Sequence, residues 1–168
     1  MLNIINNLEP FFEDCYRKIN VREYARIMKI SAPTASKLLL EYETEGLLKK
    51  EKDRNYIFFY ANKESKTFRD LSRIYWKDKL NEVIEYLNKN LINSTLILFG
   101  SLSKAEVNEN SDVDIAIFSH KKEIKLDSYE KKIKRKFQLF WFGSIEDIKN
   151  KELRNNILNG YILHGRLK

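Results

Sequence analysis

Apolar residues recur at helical spacing from Glu9 to Ile19, through Phe11, Phe12, Cys15, Tyr16 and Ile19, and predict a first helix. Asn20 then suits an N-cap for a second helix, Val21 to Met28, with Glu23 in the capping-box position. After a four-residue break, Ser31 and Pro33 open a third helix that runs to Glu45 with Leu38, Leu39 and Tyr42 inward, and Gly46 stops it. Leu47-Leu48 and Tyr56–Tyr60 flank the charged stretch Lys49–Asn55, the pattern of a hairpin. A stripe of Phe68, Leu71, Ile74, Tyr75, Leu80, Val83, Ile84, Leu87 and Leu91 predicts one long helix from Lys66 to Asn90, either core or dimer surface.

Beyond it the pattern changes. Thr95–Phe99 is a β-branched and apolar run followed at once by Gly100-Ser101, then a polar segment, then Ser111-Asp112-Val113-Asp114-Ile115-Ala116-Ile117. Strand, turn, strand is the order implied, with Asp112 and Asp114 on one face and Val113, Ile115 and Ile117 in the core. Two carboxylates at this spacing can share a divalent cation, although such a pair also caps backbone in ordinary loops. The preceding glycine lets a phosphate approach the backbone, and Ser101 offers a donor. The domains read as 1–64, a linking helix at 65–92, and 93–168.

Composition narrows the function classes. The longest unbroken apolar run, Tyr56–Ala61, is far short of the roughly 18 residues that span a bilayer, and no signal pattern opens the chain. The expectation is a cytoplasmic protein without a membrane partner. One cysteine, Cys15, and two distant histidines, His120 and His164, leave no zinc site and no thiol or Ser/His chemistry. The net charge is +7, and Lys121–Lys136 alone carries 8 basic against 3 acidic residues. A strip of that kind holds polyanions or is a solvated helix face, and coding bias toward Lys, Asn and Ile is a further source of it.

The segment VREYARIMKISAPTASKLLLEYETEGLLKKEKDRNYIFFY resembles winged-helix transcription regulators over residues 8–62. That resemblance implies double-stranded DNA as partner, with Ser31, Thr34, Ser36 and Lys37 at the start of the third helix facing bases and phosphates. Lys49, Lys50, Lys52 and Arg54 in the hairpin would neutralise backbone. Protein docking is the other use of such a domain. A homodimer through the Lys66–Asn90 helix is implied as well.

The string LFGSLSKAEVNENSDVDIAIF resembles the signature of the DNA polymerase beta-type nucleotidyltransferase superfamily, in particular its minimal branch, over residues 94–168. The whole chain looks like archaeal-type fusions of a winged helix with this domain. The implied fold is α+β: an N-terminal winged helix-turn-helix, a linking helix, and a C-terminal α/β nucleotidyltransferase domain with a mixed sheet. The resemblance further implies ATP or another nucleoside triphosphate on Gly100, Ser101 and Lys104, and Mg2+ on the catalytic pair Asp112 and Asp114. Active members carry a third carboxylate on a neighbouring strand, and here that strand, Lys136–Phe142, offers only Gln138. An amide brings neither charge nor base, so nucleotide binding survives the change better than transfer. A strand register shifted by one would turn Gln138 to local backbone instead. Three functions follow: a DNA-binding regulator with a nucleotide-responsive, weak transferase domain; an active transferase; or an antitoxin-type protein acting with a HEPN-type partner.

Overall fold

A computed structural model describes residues 3–167. The chain folds as two units. The first runs to Ser72 and includes Ala105–Glu109; the second comprises Arg73–Lys104 and the chain from Asn110 onward.

In the first unit α1 (Asn3–Glu13), α2 (Val21–Met28) and α3 (Ala32–Thr44) are followed by β2 (Leu48–Asp53) and β3 (Tyr56–Ala61). A two-residue strand, β1 (Ile19–Asn20), pairs with β3 to give the antiparallel order β1-β3-β2. The first helix therefore lies earlier than its periodicity suggests. Ile5, Leu8, Phe11 and Phe12 form its buried stripe, and the chain leaves the helix after Glu13. Ile19 is a strand residue opposite Phe59, while Tyr16 is exposed. Asn20 Oδ1 accepts from Glu23 N at 3.0 Å, but the Glu23 carboxylate turns to Arg17, so only half of a capping box forms. Ser31 caps α3, and Gly46, at φ +72°, supplies the left-handed residue that ends it.

In the second unit the expected single helix is two: α4 (Lys66–Lys79), whose first turns belong to the first unit, and α5 (Asn81–Asn90). Leu80, at φ −89° and ψ 0°, breaks the helical path and is fully buried. The bend lets both segments bury their apolar faces, from Phe68, Tyr75 and Trp76 to Val83, Ile84 and Leu87. Most of the stripe is thus buried, while Leu71 is half-buried and Ile74 exposed.

The sheet of this unit is mixed, in the order β6-β5-β4-β7, built from β4 (Thr95–Phe99), β5 (Val113–Phe118), β6 (Phe137–Phe142) and β7 (Tyr161–His164). β5 and β6 run parallel; the other neighbours are antiparallel. Three helices complete it: α6 (Gly100–Lys104), α7 (Asp127–Ile133) and α8 (Lys151–Leu158). Ile97, Phe99, Ala116 and Phe118 pack with Ile148 and Ile157 on one face of the sheet, while Val113, Ile115 and Ile117 are buried on the other. Among the described residues no helix is long and apolar enough to cross a membrane.

Candidate functional site

Everything at the candidate site follows from the register of three strands. Phe99, the last residue of β4, lies opposite Asp114, and Asp114 lies beside Gln138 of β6. Because residues at matched positions share a face, Asp114 and Gln138 emerge together at one end of the sheet, above Phe99 and Phe140, whose rings meet edge to face at 5.1 Å. Asp112 stands just ahead of β5 rather than within it. Its Oδ2 accepts a hydrogen bond from Gln138 Nε2 at 2.6 Å. The chain thus turns the Gln138 side chain to the aspartate pair, and a register shifted by one does not occur.

Gly100 makes the cradle. It adopts φ +68°, and a Cβ there would collide with the carboxylate of Asp114. Only glycine gives both the backbone angle and the space, so the turn after β4 closes directly on the carboxylate. Ser101 follows, half-buried, in the short helix α6. Lys104, expected to face a phosphate, instead donates from Nζ to Asn156 Oδ1 of α8 at 2.9 Å.

The electrostatics are those of a site short of positive charge. Burial, reinforced by the neighbouring Asp112 carboxylate, pushes Asp114 up from an ordinary 3.8 to about 6. A hard divalent cation bound by oxygen ligands would relieve both effects, so the pair fits Mg2+ as a donor set. Among the described residues no group of three or more His, Cys, Asp or Glu gathers to hold a metal. The third position is an amide, and it donates to Asp112 rather than offering its oxygen.

Arg135 is a further residue of this site, and its place is invisible in the sequence. It is 8% exposed, lies over the Trp76 ring at 5.1 Å, and donates from Nη1 to the carbonyl of Ser111 at 2.7 Å. The carbonyl of the next residue, Lys136, accepts from Val113 N at 2.8 Å. The backbone on both sides of Asp112 is therefore tied to the start of β6. In the sequence Arg135 is one cation in a basic run, and nothing in its spacing separates it from its solvated neighbours.

In the first unit, Ser31 and Thr34 share a hydroxyl contact of 2.8 Å at the α3 cap, Ser36 is half-buried, and Lys37 is exposed. Lys49 and Lys50 form ion pairs with Glu64 and Glu43, at 2.5 and 3.0 Å. Lys52 and Arg54 lie exposed at the hairpin tip.

A family model described as Polymerase beta, Nucleotidyltransferase matches residues 81–166, half of the chain. No curated protein matches it.

Proposed function

Since the chain belongs to the polymerase beta nucleotidyltransferase family, we propose that its second unit binds a nucleoside triphosphate with Mg2+ and transfers nucleotide slowly or not at all. The observation that carries this reading is the bond from Gln138 Nε2 to Asp112 Oδ2, 2.6 Å long, beside the half-buried Asp114. Asp112 and Asp114 hold the metal, and the Gly100-Ser101 turn receives the terminal phosphates. Bound Mg2+ supplies neutralisation of the triphosphate and alignment of its α-phosphate. Gln138 can contribute its amide oxygen to that ion only by turning over and releasing Asp112. It cannot take a proton from an acceptor hydroxyl, so the general-base contribution, about 100-fold or more, is absent.

The first unit, on this proposal, is a winged helix that recruits duplex DNA. The helix pair α2 and α3, the turn between them and the β2–β3 hairpin support it. Ser31, Thr34, Ser36 and Lys37 would meet the groove. Because Lys49 and Lys50 already face carboxylates, Lys52 and Arg54 carry the phosphate contacts of the hairpin.

Calorimetry with ATP and a radiolabel transfer assay test the enzyme half. Binding should require Mg2+, and Gln138→Asp should raise transfer roughly tenfold or more, about 1.4 kcal/mol of barrier. Equal affinity with and without Mg2+ refutes the site, and rapid transfer by the unmodified chain refutes the role given to Gln138.

A further inference from the structure

Among the described residues β6 is an edge strand, paired to β5 alone, and its sequence Phe-Gln-Leu-Phe-Trp-Phe contains no charge, proline or glycine. Of its six residues only Gln138 is exposed outright; the five large apolar ones are all partly open. An apolar edge of this length is the kind that pairs with another strand, and soluble proteins ordinarily blunt it with charge. Here the charges stand only at its two ends: Lys134 and Lys136 before it, Glu146 and Asp147 after it.

The hydrogen bonds to β5 fix which backbone groups face outward. Val113 N donates to Lys136 O at 2.8 Å and Ser119 N to Phe142 O at 3.1 Å, so the even-numbered residues of β6 turn their backbone groups toward β5. Phe137, Leu139 and Trp141 consequently turn theirs to the open edge. Phe137 N is closed off by Glu130 Oε1, which accepts from it at 2.9 Å. Leu139 and Trp141 are left to exchange bonds with an incoming strand.

We infer that β6 pairs with β6 of a second copy, antiparallel, in one register: Leu139 bonds the partner's Trp141, and Phe140 meets the partner's Phe140 on the twofold axis. Of the neighbouring registers, the one centred on Leu139 would need the Phe137 N–H that Glu130 holds, and the one centred on Trp141 would set Leu139 against the partner's Gly143, outside the strand. An axis perpendicular to the sheet keeps each face on the same side. It yields a continuous eight-stranded sheet with both aspartate pairs on one surface. In the same register the basic start of one strand approaches the acidic end of the other, with Lys134 toward the partner's Glu146. This charge complementarity favours a second copy over an unrelated strand. A single strand pair lies at the small end of specific interfaces, below roughly 1,200 Å2 in total, so the dimer is expected to form reversibly at micromolar concentrations.

Sedimentation of the full chain over a concentration series reads the equilibrium, and cysteine cross-linking reads the register. Trp141→Pro removes an outward N–H without touching a β5–β6 bond and should weaken the dimer roughly tenfold or more while far-UV circular dichroism is retained. Phe140→Cys should cross-link to itself under mild oxidation, because directly opposed Cβ atoms lie about 4.5 to 5.5 Å apart; Leu139→Cys should not. Lys134→Glu should weaken association, and adding Glu146→Lys should restore it. A chain that stays monomeric at every concentration overturns the inference. So does a Trp141→Pro variant that dimerises as well as the parent, or cross-linking through Leu139→Cys in preference to Phe140→Cys.

Discussion

Asp114→Asn should make the metal-free protein more stable at neutral pH while destroying its response to Mg2+. The folded protein raises Asp114 from 3.8 to about 6, through burial first and the Asp112 charge second. A rise of roughly two units corresponds to a ceiling of about 3 kcal/mol. Asp114 is only half-buried, and solvent screening brings the expected gain down to about 1.5 kcal/mol. The direction with pH follows from the proton balance. Since the folded state holds this proton more tightly than the unfolded chain, the cost is complete above about pH 6, where both states are ionised. It declines as the pH falls and is gone below about 3.8, where both are protonated. Both tryptophans, Trp76 and Trp141, belong to the second unit, so their fluorescence follows its unfolding without reporting the first. At about pH 7.5 without metal the variant should melt roughly 5 to 10 °C higher than the parent, and near pH 4 the two should coincide. Added Mg2+ should raise the parent's midpoint and leave the variant's unchanged. A variant less stable than the parent at neutral pH, or a difference that persists unchanged in acid, refutes the reasoning.

Gly100→Ala should destabilise the second unit by about 2 kcal/mol or more and abolish Mg2+-dependent nucleotide binding, because its methyl group meets the Asp114 carboxylate at a left-handed backbone position; thermal melting and calorimetry read the two effects. Arg135→Met should cost about 1 to 3 kcal/mol through loss of the donor to Ser111 O, and should weaken Mg2+ binding as well, since Ser111 leads directly into Asp112. Replacing Lys52 and Arg54 with Ala should flatten the salt dependence of duplex DNA binding by about 0.9 per lost phosphate contact on a log-log plot, and an unchanged slope would remove the hairpin from the interface.

Features that depend on neighbours along the chain are the ones legible in the sequence. Asn20 and Ser31 sit at helix starts, and Gly46 at a helix end, because capping is decided within four residues. The Gly100-Ser101 turn and the aspartate pair are visible for the same reason: a strand, a tight turn and a second strand form one local unit. Periodicity misplaces the first helix because Cys15 and Ile19 continue an apolar rhythm that the chain uses in a loop and a strand. Only the pairing of Ile19 with Phe59, far along the sequence, decides that. The break at Leu80 is hidden too, since an unbroken stripe of apolar residues is compatible with one straight helix or with two that bury the same face on either side of a bend.

Gln138 and Arg135 show where that limit bears on function. Both act on the Asp112 loop from a distance along the chain, Gln138 bonding Asp112 across 26 residues and Arg135 bonding Ser111 across 24. Gln138 stands out in the sequence because alternation along β6 leaves one polar side chain among aromatics. Arg135 does not, because its neighbours Lys134 and Lys136 carry the same charge, and only the fold shows that they are exposed while it is buried. Burial converts one member of a basic run from a solvated cation into the support of an acidic loop. A cation held there acts at short range in a medium of lower dielectric than water, yet it leaves Asp114 raised rather than lowered. Its guanidinium is directed at the Ser111 carbonyl and the Trp76 ring, and the aspartates keep their excess of negative charge. The backbone of the Asp112 loop is thus fixed by a positive group while the carboxylates stay uncompensated, the separation that the proposed metal site requires.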